Sequence, residues 1–248
     1  MMKLLWLLLI VPVVSNAQNI QHYTDHRSVS DRIVVLTFDD AVSSDYHFIA
    51  PILKKYHFGA TFFVCEFPPD FKDSTKYMTW NQIRELNNMG FEIGNHTWHH
   101  IHVNKMDSIQ FAQEMGYIEN QCMAYGIPKP VSFAYPGYDT SNKVIPWLKE
   151  RGYIFARAGG NKPYDPQMDN PYVIPSFSTS GNDTAKVFQA IREAGNGKIV
   201  VLTIHGVPDI AHPWVTTPPA LFEKYMQYLY DNHYHVIAMR DLKQWIKN

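Results

Sequence analysis

The stretch Arg32-Ile33-Val34-Val35-Leu36-Thr37-Phe38-Asp39-Asp40 sets the pattern that the rest of the chain repeats. A short apolar run rich in β-branched residues ends on two adjacent carboxylates. Such a run reads as a strand buried on both faces, and its polar end as the point where the strand leaves the core. Downstream the motif recurs. Gly59-Ala60-Thr61-Phe62-Phe63-Val64 leads to Cys65-Glu66, Gly90-Phe91-Glu92-Ile93 to His96-Thr97-Trp98-His99-His100, and Val131-Ser132-Phe133-Ala134 to Tyr135-Pro136-Gly137. Gly152 to Ala156 leads to Arg157, Lys198 to Ile204 leads to His205, and His235 to Ala238 leads to Arg240-Asp241. Helix-like stretches separate these runs: Ser44 to His57, Thr79 to Met89, Asp107 to Tyr125, Ser141 to Arg151, Thr184 to Ala194 and Pro219 to Asn232. Glycines 59, 90, 126 and 152 stand where helix C-termini want a left-handed residue. Strands alternating with helices predict an α/β fold with a parallel sheet, and about seven such units predict a closed or nearly closed, deformed (β/α) barrel.

In such barrels the chemistry gathers at the C-terminal ends of the strands. That rule would bring Asp39-Asp40, His96, His100, Pro136-Gly137, Arg157 and His205 to one mouth. The segment from Gly159 to Asn182, rich in Pro, Asn, Asp and Ser, reads as a surface excursion forming one wall of it.

With 248 residues the chain is long enough for one domain with a sizeable core. Its formal net charge of −1, without a basic stripe, excludes nucleic acid as the expected partner. At the N-terminus Lys3 precedes an apolar run from Leu4 to Val14 that closes on Ser15-Asn16-Ala17. This describes a secretory signal peptide, residues 1–17, cleaved after Ala17. The run is shorter than the roughly 20 residues a membrane span needs, so no stable membrane insertion is expected after cleavage and the product is secreted or periplasmic. Residues 18–30 read as an N-terminal extension and 31–248 as the catalytic domain. Cys65 and Cys122 are the two cysteines; export permits a disulfide, and two buried thiols fit their apolar settings equally well.

His96 and His100 stand four apart, so on a helical turn or a tight loop both imidazoles can face one point. Neutral imidazoles ligate zinc, and a catalytic site adds a carboxylate and keeps one position open. Among twelve histidines such a pair alone is more often a surface or core feature, and Asp39-Asp40 alone is more often a turn with a helix cap. Together they are more specific. One carboxylate can join the histidines on a metal while the other stays available as a base, and His205 can act as an acid. This set describes a metal-assisted hydrolase. Trp98, Tyr135, Tyr138 and Trp214 are the aromatic residues nearest the expected mouth. Trp214 is the first choice for stacking on a sugar, while His99 and His102 are expected to do no chemistry.

Three motifs in order, Thr37-Phe38-Asp39-Asp40, His96-Thr97-Trp98-His99-His100 and Leu202-Thr203-Ile204-His205, resemble those of the polysaccharide deacetylase family, also known as the NodB homology domain or carbohydrate esterase family 4. The resemblance covers about Asp31 to Asn248. It implies that Asp40, His96 and His100 bind one divalent metal ion, zinc with cobalt or nickel as alternatives. It also makes Asp39 the general base toward water and His205 the general acid. The family's third motif corresponds to Phe133-Ala134-Tyr135-Pro136-Gly137-Tyr138, which implies substrate contacts from Tyr135, Pro136, Gly137 and Tyr138, with the N–H of Gly137 or Tyr138 completing an oxyanion hole. Here the sequence departs from the pattern: the arginine that would steady the catalytic Asp is absent, Ala134 or Tyr135 lying near its place. The fourth motif, which supplies an Asp and an aromatic wall, is not recognisable. Arg157 is the expected replacement partner for Asp39. The implied activity is removal of acetyl groups from a carbohydrate, an N-acetylhexosamine of a polysaccharide or peptidoglycan. Two alternatives are an O-acetyl esterase acting on a hemicellulose such as xylan and a non-catalytic carbohydrate-binding protein on the same fold. A phosphate-ester metallohydrolase would need ligands for a second metal that the motifs do not offer.

Overall fold

In a computed structural model the described residues are 32–67 and 69–245. The expected signal peptide and N-terminal extension lie outside them. The centre of the molecule is β1 (Ile33–Asp39), whose seven residues are all buried. It pairs in parallel with β2 (Thr61–Val64), β7 (Val200–Ile204) and β8 (His235–Ile237). From β2 the sheet continues through β3 (Glu92–Asn95), β4 (Ser132–Ala134) and β5 (Phe155–Arg157), every pair parallel. Burial on both faces explains why these strands read as continuous apolar runs rather than as alternation.

Between the strands run α1 (Ala50–Tyr56), α2 (Trp80–Asn88), α3 (Ser108–Ala124), α4 (Ile145–Glu150), α5 (Thr184–Arg192) and α6 (Pro219–Asp231). Thr79 with Gln82 and Asp107 with Gln110 form reciprocal capping boxes that start α2 and α3 where the sequence places them. Among the described residues no helix is long and apolar enough to cross a membrane. Both cysteines are buried free thiols.

Two expectations need correction. The segment 159–182 is not a mere surface excursion. Its Ile174 bridges to Arg157 of β5, while β6 (Phe177–Ser178) pairs with Leu202 and Thr203 of β7. The segment thus leaves one edge of the sheet and joins the other, drawing seven strands in the order β5-β4-β3-β2-β1-β7-β6 into a deformed (β/α) barrel, with β8 added on β1. Its polar composition hides two anchors, Tyr164 and Ile174, both fully buried. The second concerns Gly59. Gly90, Gly126 and Gly152 take positive φ after α2, α3 and α4, but the left-handed position after α1 is His57, at φ 57°. Gly59 is required by space instead: a Cβ there would lie 2.7 Å from the Ala238 nitrogen.

Candidate metal-binding active site

Adjacent residues of a strand point to opposite faces, so two neighbouring carboxylates share a site only if the backbone turns between them. Here Asp39 ends β1 and Asp40 takes φ 74°, followed by Ala41 at φ 52°. This double left-handed turn brings both carboxylates to the C-terminal mouth. Beyond β3, His96 to His100 form a loop rather than a helical turn, with Thr97 at φ 64° and His100 at φ 56°. The Asn95 side chain accepts from the Thr97 N–H at 2.9 Å, and Glu114 accepts from both the backbone N–H and Nδ1 of His99 at 2.8 and 2.6 Å. Non-glycine residues hold such backbone only where their surroundings fix it.

His96 Nδ1 lies 2.8 Å from the Ala134 carbonyl, which can only accept, so Nδ1 carries the proton and the Nε2 lone pair faces the mouth. That Nε2 is 3.6 Å from Asp40 Oδ1, and His100 Nε2 is 3.7 Å from the same oxygen. One ligand atom from each of Asp40, His96 and His100 falls within 4.8 Å of the others. One carboxylate and two unprotonated imidazoles converging on a point fit a divalent first-row ion.

Burial depresses the basicity of both histidines. For His100 burial and the neighbouring His96 bring the pKa down to about 4. This has a consequence for stability. The unfolded chain takes the proton first, so the contribution of neutral His100 is complete above pH 6.5 and is lost as the pH falls from there through about 4. The expected loss in the metal-free protein is about 3 kcal/mol. Denaturant midpoints between pH 7 and pH 4 would show it, and His100→Asn should flatten the slope; an unchanged slope would assign the titration elsewhere.

Asp39 is 2% exposed and has a different setting. One Arg157 nitrogen, Nη2, donates to both of its oxygens at 2.5 Å. The guanidinium is fully buried, its central carbon 5.5 Å from the Phe63 ring centroid and 5.3 Å from that of Tyr138. Burial works to raise the Asp39 pKa, but Arg157, His96 and His205 outweigh it and hold the carboxyl below its usual range. Arg157 pairs in register with Ala134 on the neighbouring strand. The guanidinium therefore arrives at the level of the missing motif arginine, one strand over. His205 places Nε2 at 4.0 Å from Asp39 and 3.9 Å from Asp40, while its buried Nδ1 has no hydrogen-bond partner among the described residues.

The mouth opens into a cavity of about 380 Å³ lined by Asp39, Asp40, His96, His100 and His205 together with Gly137, Tyr138 and Trp214. Trp214 stands 74% exposed at its rim. Tyr135 also lines the cavity, with its ring packed against Phe133 and its hydroxyl donating to the Tyr172 carbonyl. Pro136 is buried. Of the two expected oxyanion donors, the Tyr138 N–H already donates to the Tyr135 carbonyl at 3.0 Å, which leaves Gly137 as the candidate. Trp98 faces away, stacked on Tyr117 with centroids 3.9 Å apart.

Sequence reading missed His212, which lines the same cavity. Its Nδ1 lies 3.3 Å from Asp209 and 3.7 Å from Asp40, and its Nε2 is 3.3 Å from the Tyr77 hydroxyl. Phe67, Ser178, Ser180 and Val215 also line the wall. None of these carries a periodic signal; Asp209-x-x-His212 in an irregular loop is the one trace.

A family model described as polysaccharide deacetylase matches residues 26–156. The Bacillus subtilis (strain 168) protein YxkH, named for the same activity, is 32% identical over 92 residues, covering 37% of this chain and 32% of that protein. The match thus spans about a third of that relative's length. Among solved structures, a family 4 carbohydrate esterase from Bacillus anthracis superposes with a TM-score of 0.59 at 19% identity, covering 88% of this chain and 85% of that one. The Bc1960 peptidoglycan N-acetylglucosamine deacetylase gives 0.62 at 17% identity over 86% and 89%. The Xyl-CE4 domain of a multidomain xylanase from the hindgut metagenome of Trinervitermes trinervoides gives 0.58 at 18% over 86% and 90%. At these identities the likeness is one of fold.

Proposed function

This chain belongs to the polysaccharide deacetylase family, and from that premise we propose that it is an exported, metal-dependent hydrolase that removes the acetyl group from N-acetylhexosamine units of a polysaccharide or peptidoglycan. The observation that carries this reading is the pairing, at one mouth, of a three-residue metal-ligand set with a separate carboxylate held ionised by a buried arginine. A divalent ion, zinc with cobalt or nickel as alternatives, would be held by Asp40, His96 and His100 and would supply Lewis acidity toward water and the acetyl carbonyl.

The chain's own residues account for the rest. Asp39 accepts a proton from the attacking water, whose oxygen bonds to the acetyl carbon. The Gly137 N–H donates to the carbonyl oxygen as it gains charge. His205 gives a proton from Nε2 to the leaving nitrogen as the C–N bond breaks, so acetate and a free amine depart. Tyr138 and Trp214 hold the sugar.

The same steps would cleave an acetyl ester, and one similar structure is a domain of a xylanase. The test is acetate release from a panel of N-acetylated and O-acetylated glycans, with added zinc and after chelation. Metal-dependent release from N-acetylated members is the expected result. Preference for acetylated xylan would move the assignment to an O-acetyl esterase. No release from any member, with metal bound stoichiometrically through Asp40, His96 and His100, would leave a carbohydrate-binding protein.

A further inference from the structure

Phe67 lines the catalytic mouth, whereas Glu66 and Pro69, beside it in the chain, line a second cavity of about 640 Å³ between the start of α2 and the outer face of α3. Nothing in the reaction uses this space. At its edge a single carboxylate gathers three aromatic donors: Glu66 accepts from Trp80 Nε1 at 2.8 Å, from Trp98 Nε1 at 3.2 Å and from the Tyr117 hydroxyl at 3.0 Å. The rings are fixed further by stacking, Tyr117 on Trp98 at 3.9 Å and Tyr125 on Trp80 at 5.7 Å. Thr79, Asn81 and Gln121 add hydroxyl and amide groups around the aromatic surface.

Aromatic surface bordered by hydroxyl and amide side chains, with the Lys72 ammonium and the Glu66 carboxylate on the same wall, suits a pyranose, which has an apolar C–H face and a polar hydroxyl edge. A purely apolar ligand would strip these polar groups of water without replacing their bonds. The cavity also adjoins the catalytic loop, because Trp98 lies between His96 and His100 and its carbonyl accepts from the Glu66 N–H at 2.7 Å.

We propose that this cavity is a subsite for a second sugar residue of the polymer, remote from the one losing its acetyl group. The proposal rests on the carbohydrate reading above. It is tested by comparing KM for acetylated monosaccharide and hexasaccharide substrates in the wild type and in Gln121→Phe, which fills the cavity from a half-buried position on α3. Tyr125→Ala serves as a second variant that empties it. The expected result is about a tenfold rise in KM for the hexasaccharide in both variants, with kcat and the monosaccharide kinetics unchanged. Unchanged length dependence in both folded variants would overturn the proposal. Should the wild type release no acetate at all, the reading of the reaction fails separately, and calorimetric titration with the hexasaccharide decides. Binding about tenfold weaker in Gln121→Phe than in the wild type supports the subsite; equal binding, or none in either, refutes it.

Discussion

Arg157→Met lowers kcat/KM for acetate release about a thousandfold while metal still binds stoichiometrically. The expectation follows from what the guanidinium touches. Its Nη2 spans both oxygens of Asp39, and Asp40, His96 and His100, the proposed metal ligands, are not among its hydrogen-bond partners. Removing it leaves a carboxylate that is 2% exposed with burial as the main influence on its proton. The carboxyl pKa rises and the base loses its orientation, a loss in the range of about 10²–10⁴ for acid–base catalysis. The acid limb of the pH–rate profile should therefore move to higher pH. Breaking a buried pair from one side also costs about 3–5 kcal/mol of stability, which has to be separated from catalysis. Asp39→Asn with Arg157→Met does so: the double variant should regain stability over Arg157→Met alone and be no slower than Asp39→Asn, because the two residues act as one unit. A folded Arg157→Met enzyme with the wild-type rate and pH profile would show that Asp39 needs no such partner.

That pair is legible in the sequence because both members end apolar runs, and the barrel brings strand ends together whatever their separation along the chain. Buried parallel strands announce themselves as unbroken apolar runs, so β1, β2, β4 and β7 can be placed within a few residues. β6 cannot, since two residues between prolines and serines show no period. Tyr135 is half legible: its position after a strand end places it at the cavity but says nothing about which way its ring turns. The alternation does hold the answer, since Phe133 and Tyr135 are two apart, share a face, and meet with ring centroids 5.1 Å apart in the core. His212 lies in a loop fixed by its own hydrogen bonds to Asp209 rather than by a periodic element, and the Asp209-x-x-His212 spacing is its one trace in the sequence.

Glu92→Ala is expected to cost about 3–5 kcal/mol of stability without changing metal stoichiometry. Glu92 begins β3, at the end of the barrel away from the mouth, and is 2% exposed. Its carboxylate accepts from the Thr61 and Ser132 hydroxyls, both at 2.6 Å, and from the Arg240 N–H at 2.7 Å. One side chain thus ties β2, β3 and β4 to the turn that follows β8. Truncation would leave three donors facing a void, each unsatisfied group costing about 1–3 kcal/mol, though Thr61 keeps its bond from the Met239 N–H at 2.8 Å. Burial raises the Glu92 pKa despite these hydrogen bonds. The native state therefore binds its proton more tightly than the unfolded chain. That contribution is present below the unfolded value of 4.5 and is lost as pH rises through the raised one, opposite in sign to His100. Glu92→Gln keeps an acceptor and the side-chain volume while removing the charge, so it should lose about 1–2 kcal/mol. Because most domains hold only about 5–15 kcal/mol, the alanine variant should show a large fall in denaturant midpoint. A shift below about 1 kcal/mol would mean that the barrel floor is held by packing and that the buried carboxylate serves some end other than stability.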